Sequence, residues 1–269
     1  TIADTGATAP AFTVAAVVAP AVPAFTVDQA AVATFGNALV LPSSPARETR
    51  VTDGVIVVDN IDVASPSVVQ AADIDFAKVL VANQLTVAAD ATITSDVSVS
   101  VTDASFEDTL DVTAQTNVAL TDVDAVGNTN VTATDGSGTF TRTDFDVDLT
   151  VLAGTDITLT TTTVDGDATM TATDGTILSD DLTVGVDTTL VAGTDIDLTT
   201  TTIGGIADLT AAGDLATDTL AVTGATTVDV DGNATFDDTD LTGRATITTG
   251  ENLVVTGLGA ADDLIIRAG

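Results

Sequence analysis

Apolar and polar residues alternate in short runs along most of this chain. Ile157 and Leu159 flank Thr158, and the same alternation recurs at 196–198. Period-two runs rich in β-branched residues, separated by Gly, Asp or Asn, predict short strands joined by tight turns. The candidate turns are Asp135-Gly136, Asp165-Gly166, Asp174-Gly175 and Asp231-Gly232-Asn233.

The alternating pattern is itself repeated. Residues 153–163 recur at 192–202 with ten of eleven positions identical, and 132–136 recur at 171–175, so both pairs share an offset of 39. This offset divides into steps of 20 and 19, and Leu85 and Leu110 open two looser units before the regular series. The apolar residues that open the regular units are Val131, Val151, Met170, Leu190, Leu209, Val228 and Ile247.

A unit of this length fits one coil of a parallel β-solenoid. The units are too short and too rich in β-branched residues for helix pairs, and their spacing does not match propeller blades. Coils stacked about 4.8 Å apart enclose a narrow interior that takes small aliphatic side chains, which agrees with an aromatic content of 3%. The sequence therefore predicts an all-β parallel β-solenoid (β-helix) of about nine coils of 19–20 residues, with an extended N-terminal arm.

Composition divides the chain near residue 50. Five of the six Pro residues lie before residue 46, in a segment rich in Ala and Val. We interpret 1–50 as an N-terminal arm and 51–269 as the solenoid body, in which 51–84 are degenerate first coils and 85–269 are regular coils. The apolar part of the arm is interrupted by proline and aspartate, so it is too short for a membrane span.

Charge excludes several classes of function. The chain has no Cys, no His, and six Lys and Arg against 40 Asp and Glu, for a formal charge of -34. Catalysis by Cys or His, disulfides and His/Cys metal sites are therefore excluded, and nucleic acid is not an expected partner. Only Glu48, Glu107 and Glu251 are glutamates. The excess of Asp indicates turn chemistry, because its short side chain hydrogen-bonds the backbone two residues on.

Three motifs suggest chemistry, and each has a simpler structural interpretation. Asp229 and Asp231 precede Gly232-Asn233 and are weak candidates for a loosely bound calcium ion, but the bidentate Glu of a calcium loop is absent. Asp180-Asp181 and Asp237-Asp238 are paired carboxylates, yet the cations and aromatic platforms that hold polysaccharides are missing. No catalytic residue and no cofactor are predicted.

The four-threonine runs at 160–163 and 199–202 suggest ordered water on a regular threonine face, as in ice binding. Threonine is also a preferred residue of exposed strands, and the rows are irregular from unit to unit. We therefore favour the structural interpretation.

The units at 153–164 and 193–203 carry Gly-x-Asp-Ile-x-Leu-Thr runs. These runs resemble the haemagglutinin-type repeats of filamentous bacterial adhesins, over about 110–260 of this chain. That resemblance implies a right-handed parallel β-helix, export from the cell and a place at the cell surface.

The two ends of the solenoid suggest a function. A solenoid end exposes unpaired backbone and apolar core, and no cap helix is visible after Ile247. We expect a structural subunit of an extracellular homopolymeric filament or surface layer, assembled head-to-tail by end contacts and N-terminal arm exchange, with itself as partner. A monomeric cell-surface adhesin is the alternative, and a polysaccharide-active β-helix enzyme is the least favoured. The expected inter-subunit residues are Phe12, Val14, Phe25, Val27, Leu264, Ile265 and Ile266.

Overall fold

All the regular structure described for this chain is β-strand. The computed structural model describes residues 25–35, 39–41, 49–58, 61–63, 69–70, 79–87, 91–95, 97–260 and 262–269, with side chains from residue 91 onward except at 92. Within these ranges there is no helix of the length and apolar character needed to cross a membrane.

The strands, numbered β1 to β25 in chain order, form two parallel sheets. The long-strand sheet has 14 strands and the short-strand sheet has 11. The long-strand sheet contains β1 Phe25–Phe35, β2 Leu39–Leu41, β3 Thr49–Val58, β4 Ile61–Val63, β6 Val79–Val87, β8 Ser98–Phe106, β10 Val118–Ala125, β12 Gly138–Phe145, β14 Ile157–Val164, β16 Ile177–Val184, β18 Ile196–Ile203, β20 Leu215–Val222, β22 Ala234–Leu241 and β24 Leu253–Ala260. The short-strand sheet contains β5 Val69–Gln70, β7 Ala91–Ser95, β9 Leu110–Ala114, β11 Thr129–Ala133, β13 Leu149–Ala153, β15 Ala168–Ala172, β17 Thr188–Ala192, β19 Ala207–Ala211, β21 Thr226–Val230, β23 Ala245–Thr249 and β25 Leu264–Ala268.

One long strand and the short strand that follows it make one coil. Each strand pairs in parallel with the equivalent strand of the next coil, so the chain winds through about nine turns of roughly 19 residues. From β8 onward the register shows no bulge at any pairing. The predicted parallel β-solenoid is confirmed.

Turn length explains the alternation of 19 and 20 residues. Every regular coil has three residues between its long and short strands, and most have three residues after the short strand. The turns at 134–137 and 173–176 have four residues instead. A coil with the longer turn followed by one with the shorter turn produces the offset of 39.

The centre of each short strand contributes to one buried column. The seven apolar residues that the sequence aligned, from Val131 to Ile247, are in register along this column. The two earlier members were wrongly assigned. Leu110 lies two residues ahead of the true member, Val112, and Leu85 lies in the long-strand sheet opposite Ala104. The regular spacing therefore extends back to Ile93, which pairs with Val112.

The long strands bend at a corner, which gives the coil three sides. In an eight-residue long strand, residues 1, 3, 6 and 8 are buried, whereas residues 4 and 5 both point away from the core. Residue 5 has a positive φ in every regular coil, so the strand changes direction there. The corner residues are Asp103, Asp122, Arg142, Thr161, Asp181, Thr200, Thr219, Asp238 and Gly257.

Aromatic rings fit the narrow interior only where space is provided. The rings of Phe140 and Phe145 in β12 meet edge to face with centroids 6.3 Å apart. A Cβ atom at Gly138 would lie 3.1 Å from the Phe140 ring, so the absence of a side chain there makes room for it. The large side chain at Phe140 is thus offset by the absence of one at Gly138, as close packing of the interior requires.

Replacing a β-branched corner residue with glycine is expected to stabilise the protein. Thr200 has a φ of 51°, a conformation that costs an L-residue roughly 1–2 kcal/mol and that glycine adopts freely. After the entropy lost by glycine on folding, Thr200→Gly should gain about 0.5–1 kcal/mol and raise the thermal midpoint measured by circular dichroism. Thr199→Gly, one residue earlier in extended backbone, should lower the midpoint. Equal lowering of the thermal midpoint by both variants would contradict a positive φ at Thr200.

Candidate functional site

The last coil exposes residues that are buried in every preceding regular coil. Val255 and Ile266 are 41% and 44% exposed, whereas their register partners in the coil before, Phe236 and Ile247, are fully buried. Strands β24 and β25 also pair on one side only. An apolar column and two open strand edges therefore lie together at this end of the stack, and we call this surface the open end.

The C-terminal residues predicted as inter-subunit contacts fall on two faces. Leu264 is aligned with the core-facing Ala245 and is exposed, so it belongs to the open end with Ile266. Ile265 lies between them and is aligned with the outward-facing Thr246. Val255 in β24 was not predicted, although its period-two alternation with Leu253 was a usable signal.

The arm residues are placed only in part. Phe25 and Val27 begin β1, whose backbone pairs in parallel with β3 of the same chain. Phe12 and Val14 lie outside the described residues. Strand β1 is the first of the ordered path through the long-strand sheet and β24 is the last, so each occupies one edge of that sheet.

Acidic side chains form ladders along the turns. Asp195 Oδ1 accepts a hydrogen bond of 2.7 Å from the backbone N–H of Asp214, one coil further on. Asp214 Oδ1 in turn accepts bonds of 2.7 and 3.1 Å from the backbone and the side-chain amide of Asn233. A second ladder at the opposite turn runs through Asp148, Asp167, Asp187 and the backbone N–H of Ile206.

The ladders correct the expected role of the aspartates. These carboxylates do not bond the backbone two residues on but the equivalent turn of the next coil, 19 or 20 residues away. Aspartate satisfies a backbone donor that the turn leaves without a strand partner. Glycine precedes the ladder residue in several turns, because a Cβ atom at Gly213 or Gly232 would collide with the carboxylate of the coil below.

The weak calcium candidates are not brought into a cluster. Asp229 points outward from β21, and Asp231 lies in the turn that follows, where its backbone N–H bonds Ala211 O. Among the described residues, no three acidic side chains are grouped so as to hold a metal ion.

The paired carboxylates belong to the corners of the long strands. Asp181 and Asp238 are corner residues with φ of 63° and 45°, and Asp180 and Asp237 precede them. Aspartate is one of the residues that adopt this conformation most readily, so the corner accounts for Asp181 and Asp238. Asp180 and Asp237 are exposed outward residues of the same strands.

The four-threonine runs also turn this corner. In the first run, Thr160 points outward, Thr161 is the corner residue and Thr162 is buried, with its hydroxyl 3.1 Å from that of Thr143. The run is therefore not a row on one face. Outward threonines also lie on the short strands. They alternate there with buried residues, so they do not form runs in the sequence.

Two resolved electrostatic effects involve outward residues of the long strands. Arg142 makes an exposed two-point contact with Asp122 at 2.6 Å, and this hydrogen bond holds the pKa of that carboxyl below its usual value. Partial burial raises the pKa of Asp144, with further contributions from the carboxylates of Asp124, Asp146 and Asp165. Burial first, and the charges of three nearby carboxylates second, therefore disfavour the charged form of Asp144.

The fold defines a repeat protein of the parallel β-solenoid class. No model of a known protein family matches the chain, and no curated protein or solved structure matches it either. The open end and the aspartate ladders are the features of this chain that bear on its function.

Asp214 tests the ladder because it bonds both neighbouring coils. Its backbone N–H donates a hydrogen bond to Asp195, and its carboxylate accepts one from Asn233. Asp214→Ala should cost about 1–2 kcal/mol, since the backbone N–H of Asn233 loses its acceptor. Asp214→Asn keeps an acceptor oxygen and removes a charge beside Asp195, so its thermal midpoint should equal or exceed that of the parent protein. If the alanine and asparagine variants lower the thermal midpoint equally, the lost charge of Asp214, and not the lost hydrogen bond, is the cause of the destabilisation.

Proposed function

We propose that this protein is a structural subunit of an extracellular homopolymer, a filament or surface layer in which solenoids stack end to end. Its partner is a second copy of the same chain. The observation that carries this proposal is the open end, whose side chains and strand edges repeat the pattern used at every internal coil contact.

Stacking at the open end would bury apolar side chains and would pair the open edges of two strands. Val255, Leu264 and Ile266 would leave water, each contributing roughly 1–2 kcal/mol on partial burial. The free N–H and C=O groups of β24 and β25 would gain partners at roughly 0.5–1.5 kcal/mol each. Association itself costs about 4–15 kcal/mol, so assembly should depend on protein concentration.

The geometry of the two edges favours open-ended growth. All the described pairings are parallel, so one copy can add to another in the same direction without reversing the chain. A head-to-tail contact whose rotation does not close a ring propagates as an open filament. The edge strand β1 of one copy is the natural neighbour of β24 of the next.

The composition suits a structural role better than a chemical one. The chain has no Cys, no His and one Met, so it offers little to oxidation or to nucleophilic catalysis. Its six basic residues leave few sites for proteases that cleave after Lys or Arg. These properties support a durable material outside the cell.

Charging the open end is expected to block assembly. The double variant Val255→Lys/Ile266→Lys should remain monomeric, because stacking would bury two ammonium groups without partners. The parent chain should show a weight-average mass that grows with concentration in sedimentation and filaments by electron microscopy. Leu178→Lys/Val186→Lys, at comparably exposed apolar residues on the sides of the stack, is the matched control and should assemble normally.

Two results would contradict the proposal. One is a parent chain that stays monomeric at millimolar concentration. The other is equal loss of assembly in the open-end variant and in the side control, since the contact would then not lie at the end of the stack.

A further inference from the structure

The hydrogen bonds of the ladders all run in one direction along the stack. In each bond a side-chain oxygen of one coil accepts from a backbone N–H of the coil that follows it. The same direction holds for every bond of this kind in the described part of the chain, from the one accepted by Asn117 to the one donated by Asn252. The turns therefore have a polarity, with side-chain acceptors towards the open end.

The first ladder reaches the open end at Asn252. The backbone and side-chain N–H groups of Asn252 both donate to Asn233 Oδ1, at 3.3 and 2.9 Å. Asn252 itself is exposed, and its Oδ1 accepts no hydrogen bond from any residue that the structure describes. This oxygen therefore stands where a following coil would place a backbone N–H.

The second ladder resumes at the open end with Asp263. Ala245 N–H donates to the backbone oxygen of Asp263 just as Ala168 N–H donates to that of Asp187, so the two aspartates hold equivalent positions. The three coils between them have no side-chain acceptor at this position, which is occupied by Ile206, Ala225 and Arg244. Asp263 is exposed, and within the described ranges its carboxylate accepts no hydrogen bond. A carboxylate thus returns to the ladder position in the coil where no later coil of the structure uses it.

The apolar side chains of the open end do not determine which surface of a second copy would cover them. Two open ends facing each other would also bury Val255 and Ile266, and their edge strands could pair in antiparallel fashion. Such a two-fold contact closes after two copies, whereas a head-to-tail contact continues. The choice between a dimer and a filament therefore depends on the polar groups at this end.

The ladder acceptors distinguish the two arrangements. A carboxylate offers acceptors and no donor, so two facing open ends would cover Asp263 without supplying a backbone donor in ladder geometry. A coil that stacks in the register of the described coils instead brings a turn N–H to it, as Ile206 does to Asp187 at 2.7 Å. Hydrogen bonds to an ionised acceptor are the stronger kind.

We propose that Asn252 and Asp263 set the polarity of assembly, by accepting turn N–H groups from the opposite end of a second copy and disfavouring contact between two open ends. This inference rests on the proposed function and adds the groups by which the two ends recognise each other. Asp263 is the more decisive of the two, because the amide of Asn252 can also donate.

The test replaces Asp263 and follows assembly by sedimentation and electron microscopy. Asp263→Ala should raise the concentration at which filaments appear about tenfold or more, because a hydrogen bond to a charged group is lost. It should also produce a discrete species of twice the chain mass, since open ends can then face each other. Asp263→Asn keeps an acceptor oxygen and should form filaments at nearly the concentration of the parent chain.

The matched control is Asp262→Ala. It removes the same charge from the neighbouring exposed residue, which lies outside the ladder position, and should assemble as the parent chain does. Stability gives a second readout. Asp263→Ala should leave the thermal midpoint of dilute protein unchanged, whereas Asp187→Ala should lower it because Ile206 N–H loses its acceptor.

Each remaining outcome decides against part of the account. Filaments of Asp263→Ala at the parent concentration, without the discrete dimer, would overturn the role of Asp263 and leave end-to-end stacking intact. Equal loss of assembly in Asp262→Ala would assign the effect to net charge and overturn it as well. A parent chain that forms only a dimer of fixed mass, or only a monomer, would overturn the proposed function and this inference together.

Discussion

Parallel pairing of each coil with the next, in constant register, is the interaction on which the rest of this structure depends. Because the register is constant, each position of the coil becomes a column of equivalent side chains. The buried column from Ile93 to Ile247 supplies the core, and the turns supply columns of hydrogen bonds. No coil buries enough apolar surface to be stable alone, so stability arises from stacking. The same dependence leaves the last coil with Ile266 and Val255 uncovered.

The unusual composition follows from this arrangement. An aspartate in a turn accepts a hydrogen bond from the coil above, as Asp195 does from Asp214, and glycine stands where that carboxylate needs space. Repeating one solution along the stack enriches the chain in these two residues. The cost is a row of like charges at short spacing along each turn. Acidity is thus largely a consequence of how the turns are built.

Much of the fold was predictable from the sequence, and the exceptions have physical reasons. The period and the central column were found because apolar residues such as Val131 and Met170 recur at a fixed spacing. The corners were missed because their positive φ is adopted by Asp, Thr and Arg, so no single residue type marks them. The ladders were missed because local turn chemistry and cross-coil bonding use the same residue. Of the candidate site, Leu264 and Ile266 were predicted, whereas Val255 was missed because the run Leu253-Val254-Val255 does not by itself show which residues face the core.

The absence of cysteine allows the register itself to be measured. Thr169 and Thr189 are Cα partners on adjacent short strands, where side chains on parallel neighbours lie within reach of a disulfide bond. Under mild oxidation, Thr169→Cys/Thr189→Cys should form an intramolecular disulfide rapidly, whereas Thr169→Cys/Val191→Cys, displaced by two residues, should form it much more slowly. Faster bond formation in the displaced pair, or none in either, would contradict stacking in this register.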